Sequence, residues 1–212
     1  MDYTVISLSR QIKMLVEVIK EEETEIGNKA LRKKVRERFS NFVESSFFCE
    51  NNSEMTEFLK HDAIQKELYH ATRTYLIFKD EIQEHLLGFF TLAIKDLDIS
   101  KLEIKEKKKL VFNGKSPSKV GVASSYLIAH IAKNDSFSKE FSGEKIIEEA
   151  LLIVDDVRKS IGGKLIILDS ICIPKVMDLY KQFGFREIGE TFTSQIGQEL
   201  QLMVLSMPNS LD

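Results

Sequence analysis

Two stretches of this 212-residue chain combine residue type and spacing in a way that can do chemistry. The first leads from an apolar strand pattern ending near Asn134, through a polar loop, to a helix opening at Gly143. A helix N-terminus offers unpaired backbone N–H groups and the positive end of the helix dipole, a ready seat for an anion such as pyrophosphate. Gly143 permits close backbone approach, and Lys139 and Lys145 add positive charge. The plainer alternative is an N-cap at Ser142 followed by a packing glycine. The second stretch is Leu179-Tyr180-Lys181-Gln182-Phe183-Gly184-Phe185. Here a helix carrying a tyrosine is expected to end at Gly184 in the left-handed conformation, with Phe185 starting a strand. Taken alone, Tyr180 reads as a core side chain before it reads as a catalyst.

Other chemistries find no support. His61, His70, His85 and His130 have no ligand spacing with one another or with cysteine, so no metal site is expected. No Gly-x-Ser-x-Gly elbow and no Walker-type phosphate loop is present. Cys49 and Cys172 are far apart, which suits packed thiols in a reducing compartment. Thirty basic against 33 acidic side chains leave a formal charge of −3, so no global basic excess demands nucleic acid. The opening residues lack a basic stretch followed by an apolar run, and no stretch approaches a membrane span. A cytoplasmic protein without membrane association is the expectation.

The elements that must position these groups follow from periodicity. Residues 1–45 read as two helices, the first with the stripe Ile12, Leu15, Val16 and Ile19 and a stop at Gly27. The second starts from an Asn28 cap, with Leu31, Val35, Phe39, Phe42 and Val43 inward and Lys29, Arg32, Lys33 and Arg36 on the other face. That basic face is either solvated or phosphate-facing. A helix over Ser53 to His70 comes next. The β-branched and aromatic runs Thr72 to Phe78 and Leu86 to Ile94 predict a hairpin around Lys79 to His85. Residues 101–118 read as a lysine-rich surface excursion. A buried strand over Val122 to Ala132 precedes the most strongly periodic helix, Ser142 to Ile161. A strand over Leu165 to Leu168, a helix over Lys175 to Gln182, a strand near Phe185 and a strand over Leu200 to Ser206 complete a mixed α/β chain.

In this order, these stretches resemble the GNAT superfamily of N-acetyltransferases. That family leads a strand through a Gln/Arg-x-x-Gly-x-Gly/Ala loop into a helix, and later ends a helix in a Leu-Tyr-x-x-x-Gly-Phe pattern. The latter is matched in full by Leu179 to Phe185. The front half is similar to the toxin-type GNAT subgroup, through Phe48-Cys49, Phe58-Leu59, Arg73-Thr74 and Gly88-Phe89-Phe90-Thr91-Leu92. The resemblance spans about Phe47 to Ser206. It divides the chain into an N-terminal helical extension, 1–45, packed on an acetyltransferase domain, 46–208. The loop departs from the family pattern: Ser138 stands at the Gln/Arg position, Phe141 at the first glycine, and only Gly143 survives. Ile173 replaces the family's frequent asparagine ahead of the tyrosine. The loop can still present amides if the Phe141 ring turns outward, whereas Glu144 would repel a diphosphate.

The resemblance implies a GNAT-type fold with a mixed central sheet flanked by helices, acetyl-CoA as donor, and an amine acceptor attacking directly. It implies that Ile131, Ala132 and Lys133 meet the pantetheine arm. Ser138, Lys139, Phe141, Ser142, Gly143, Glu144 and Lys145 would meet the phosphates. Tyr180 would be the general acid, with no metal involved. His130 is a weak candidate base, otherwise a satisfied buried imidazole. Two alternatives stay open. One is toxin-like acetylation of aminoacyl-tRNA, with the basic helix face and the lysines of 101–109 meeting phosphates. The other is a GNAT-fold binding or regulatory module that has lost catalysis. A homodimer is a further expectation from the resemblance.

Overall fold

The computed structural model describes residues 2–50, 52–79, 83–110, 116–194 and 196–207. The chain forms two compact units, Met1–Leu92 with His130–Leu151 and Ala93–Ala129 with Leu152–Asp212. Mixed strands and helices make up both, as the residue patterns predict.

The first unit begins with β1 (Thr4–Ser7), a strand that helical periodicity does not reveal. Ser7 then caps α1 (Leu8–Glu22), its hydroxyl accepting from the Arg10 N–H. This helix stops at Glu22, ahead of Gly27, whose φ of −71° makes no use of glycine's freedom. Gly27 instead occupies the N-cap of α2 (Asn28–Ser46), which buries Leu31, Val35, Phe39 and Val43. A further helical run consists of α3 (Ser53–Glu57), a π-helical turn over Phe58–Asp62, and α4 (Ala63–Leu68). The π turn admits one extra residue while keeping Phe58 and Leu59 buried.

Strand β2 (Arg73–Phe78) pairs antiparallel with β1, from Thr4↔Phe78 to Ser7↔Tyr75. It also pairs with β3 (Leu86–Asp98), Thr74 facing Thr91 and Leu76 facing Phe89. Of the expected turn between them, residues 80–82 lie outside the described residues. The core joins Leu8, Ile19, Val35, Phe39 and Val43 to Phe47, Leu59, Leu76, Phe89 and Ala132. Residues 1–45 therefore supply a sheet edge and part of this shared core, and the expected boundary at residue 45 falls inside α2.

In the second unit, α5 (Ile104–Leu110) forms where only an irregular excursion was expected. Residues 111–115 lie outside the described residues. Strand β4 (Val122–Lys133) runs through both units, as does α6 (Gly143–Ile161). Gly162 and Gly163, at φ of 80° and 107°, end α6. Gly163 has no room for a Cβ, which would lie 2.6 Å from the Tyr126 ring. Strand β5 (Leu165–Ile171) pairs in parallel with β4 from Ser125↔Leu165 to Leu127↔Ile167 and no further.

After α7 (Pro174–Gln182) come the short strands β6 (Arg186–Glu187) and β7 (Phe192–Thr193), then β8 (Glu199–Ser206). Strand β8 pairs antiparallel with β5 as far as Ile171↔Leu200, and also with β6 and β7. The hydrogen-bonded order is β1-β2-β3-β4 in the first unit and β3-β4-β5-β8-β6 in the second. Leu97, Ile99, Leu110, Leu165, Ile167 and Val204 form the second core.

Candidate active site

The loop from β4 to α6 is built on Asn134, which is fully buried. Its amide Nδ2 donates to the carbonyls of Ser46 and Leu86, both at 2.6 Å. Its Oδ1 accepts from the N–H of Phe48 at 3.3 Å and of Ser136 at 3.1 Å. The backbone N–H of Asn134 reaches the Leu87 carbonyl, and Asp135 N–H the Phe48 carbonyl, both at 2.8 Å. One side chain thus fixes the loop start to the chain after α2 and to the head of β3. An Asn-Asp pair after a strand is legible as a turn former. Its long-range partners are not.

A 3₁₀ turn at Asp135–Phe137 follows, and the loop tightens on itself. The N–H groups of Glu140 and Phe141 both donate to the Phe137 carbonyl at 2.9 Å. The Phe141 ring turns inward, so the condition under which this part of the loop would present its amides is not met. The ring is 4% exposed and packs edge-on against Tyr3, with centroids 5.4 Å apart and planes at 76°. A phenyl ring loses far more in water than it gains in freedom, so it buries wherever a hole exists. The amide of Phe141 is therefore committed inside the loop. This leaves the first turn of α6, opening at Gly143, as the source of unpaired N–H groups.

Next to this loop lies a cavity of about 300 Å³, lined by Ser138, Lys139, Glu140, Ser142, Lys145 and, from the N-terminus, Tyr3. Lys139 is exposed and Lys145 pairs with Glu148 at 2.7 Å, which raises the Lys145 pKa. Glu144 is exposed in the first helical turn and accepts from the Ser142 hydroxyl at 3.4 Å. Glu140 is held by Lys79 at 2.7 Å. The Tyr3 hydroxyl donates to Glu149 Oε1 at 2.7 Å, and burial, reinforced by that carboxylate, pushes its pKa up to about 12. Tyr3 and Lys79 carry no sequence signal for this site, because they reach it only through tertiary folding.

Ile131, Ala132 and Lys133 occupy the last part of β4, Ala132 buried and the other two half-buried. A Cβ on Gly88 would lie 2.8 Å from the Ala132 carbonyl and 2.8 Å from Ile146 Cδ1, so glycine there lets α6 seat close to the sheet.

In the second unit, Tyr180 sits in the last turn of α7. Gly184 takes φ of 85°, as expected, and the N–H groups of Phe183 and Phe185 both donate to the Tyr180 carbonyl. The ring packs edge-on against Phe185 at 6.0 Å. Among the described residues the hydroxyl has no hydrogen-bond partner, and burial pushes its pKa up to about 12.

His130 stacks on Phe58 with centroids 3.7 Å apart. Burial, then Lys66, pulls its pKa down to about 4, against an opposing pull from Asp62. Its Nδ1 is buried without a partner among the described residues, so it is not the satisfied imidazole expected. Among the described residues no cluster of three or more His, Cys, Asp or Glu side chains is arranged to hold a metal ion. No described helix is long and apolar enough to cross a membrane.

No protein-family model matches the chain, and no curated protein matches it. Solved structures do. AtaT complexed with acetyl-methionyl-tRNAfMet is 16% identical at a TM-score of 0.57, covering 75% of this chain and 85% of its own. A structure described as a bacterial toxin is 15% identical at 0.59, covering 76% and 81%. A tyrosine-to-phenylalanine mutant of KacT is 16% identical at 0.56, covering 77% and 89%. At such identities the likeness is one of fold.

Proposed function

We propose, from the toxin-type GNAT acetyltransferase fold that this chain shares with those structures, that it transfers an acetyl group from acetyl-CoA to a primary amine. The observation that carries this reading is Tyr180, a phenol with no hydrogen-bond partner among the described residues, at the end of a helix-glycine-strand motif. Several solved relatives in fold were studied as tyrosine-to-phenylalanine mutants, and others with acetyl-CoA.

The donor, when bound, supplies an activated thioester. In this reading the first turn of α6 and Lys139 hold its phosphates, as helix N-termini hold anions. The pairing of β4 with β5 stops at Leu127, and the backbone of Ile131 and Lys133 is the candidate to hydrogen-bond the pantetheine arm. A backbone N–H there polarises the thioester carbonyl. A neutral amine attacks the carbonyl carbon, the C–S bond breaks, and the nitrogen loses its extra proton. Tyr180 donates its O–H to the departing sulfur. A phenol near 12 against a thiol near 8.5 makes complete transfer uphill by roughly 5 kcal/mol. The role of Tyr180 is therefore to hydrogen-bond sulfur as charge develops, with the proton following once the amine has released its own.

A second, finer reading names the acceptor as the amino group of aminoacyl-tRNA. It is favoured by α2, whose exposed Lys29, Arg32, Lys33 and Arg36 line a groove in which Glu37, 3.5 Å from Lys33, is the one acidic side chain among the described residues. The AtaT complex contains an acetylated aminoacyl-tRNA. Lys107, by contrast, is removed from the lysines offered to phosphate, since it is buried and donates to the Ser100 carbonyl at 2.8 Å.

The test is a thermal shift with acetyl-CoA, followed by incubation of radiolabelled donor with simple amines and with charged tRNA. Donor at 100 times its dissociation constant adds about 2.7 kcal/mol, roughly 5–10 °C for a chain of this size. Label on charged tRNA supports the finer reading, and label on free amines alone supports only the broader one. No shift at millimolar donor leaves a catalytically inactive module.

A further inference from the structure

Phe141 replaces a motif glycine with a bulky ring, and the structure shows how the chain accommodates it. The ring fills a hole whose wall is Tyr3. Tyr3 immediately precedes β1, which β2 holds in register from Thr4↔Phe78 to Ser7↔Tyr75. The Tyr3 hydroxyl also bonds Glu149 on α6 at 2.7 Å, while its side chain lines the 300 Å³ cavity beside Ser138, Lys139 and Lys145. One residue thus ties a sheet edge to the loop and to the helix that follows the loop.

We propose that Tyr3 is a positioning residue for the phosphate site: by bonding Glu149 and packing against Phe141 it holds the 138–142 loop in the shape that receives the donor's phosphates. The inference rests on the acetyl-CoA reading and deepens it. A mobile loop would pay its ordering entropy on binding, so the brace acts on donor affinity rather than on turnover. The N-terminal residues, which the resemblance leaves outside the catalytic domain, become part of donor recognition. Tyr3 and Phe141 are also coupled. A glycine at 141 has no ring to brace, so Tyr3 matters only while Phe141 is present.

The experiment measures acetyl-CoA affinity by calorimetry and amide hydrogen exchange over residues 137–145. The proteins are the wild type, Tyr3→Phe, Tyr3→Ala, Phe141→Gly and the Tyr3→Ala/Phe141→Gly double variant. Tyr3→Phe, which loses one hydrogen bond, is expected to weaken affinity about 3-fold, and Tyr3→Ala about 10-fold, with the rise in KM for the donor exceeding any change in kcat. In the Phe141→Gly background Tyr3→Ala is expected to change affinity less than 2-fold. Equal losses in both backgrounds, or no loss in either, overturn the proposal. So does a fall in melting temperature with affinity intact, because that is the mark of a purely structural tyrosine. If the wild type binds no acetyl-CoA, the functional reading fails, and the brace is judged on exchange alone. Faster exchange of the 138–142 amides in Tyr3→Ala, or in Tyr3→Phe where the alanine variant does not fold, then supports it. Unchanged exchange overturns it.

Discussion

Tyr180 combines a hydroxyl without a hydrogen-bond partner among the described residues and a pKa pushed up to about 12 by burial. A phenol that stays protonated across the physiological range is a constant donor and never a base. Tyr180→Phe removes the donor and keeps the ring that packs on Phe185. Turnover is expected to fall about 10²- to 10⁴-fold, the usual yield of a positioned acid, with the melting temperature unchanged. Steady-state kinetics alongside calorimetry checks both halves, and unchanged turnover would remove Tyr180 from the mechanism. Its motif was legible because helix, glycine and strand follow one another locally. That its hydroxyl lacks a partner among the described residues was not legible, since this depends on every neighbour the fold brings.

Helix α6 depends on a contact that no local pattern announces. Its apolar stripe was readable from a period near 3.6. Its closeness to the sheet depends on Gly88, where a side chain would meet the Ala132 carbonyl and Ile146. A backbone oxygen cannot move without disturbing its strand. Gly88→Val is therefore expected to cost about 1–3 kcal/mol in urea unfolding, the range for overpacked cores. A variant as stable as the wild type would show that α6 can shift at no cost. Strand β1 marks the opposite case. Thr4–Ser7 is too short for alternation to be read, and it exists because β2 offers an edge to pair with. The α5 helix was missed for a related reason: its lysines read as solvated, yet Lys107 finds the Ser100 carbonyl and buries.

Across the whole molecule, acid stability follows from His130. Its pKa lies near 4 in the folded chain, against an ordinary value near 6.5. Between these values the unfolded chain binds more protons, so stability rises with pH. The contribution is complete above pH 6.5 and is lost as pH falls toward 4, amounting to roughly 3 kcal/mol at most. His130→Leu is expected to flatten this part of the stability profile in denaturant titrations from pH 7 to 4. A profile that stays as steep as the wild type's would place the acid sensitivity elsewhere. The sequence by itself determined the succession of elements, the mixed α/β class, the glycine stop after Tyr180 and the loop-to-helix opening at Gly143. Those features depend on periodicity and turn chemistry, which act between near neighbours. Tertiary structure alone decided that Phe141 turns inward, that Tyr3 meets Glu149, that Asn134 ties three segments together and that the Nδ1 of His130 is left unpaired among the described residues. Each of these is a contact across a long stretch of chain, set by which hole or partner the folded core leaves open, and no local rule encodes that.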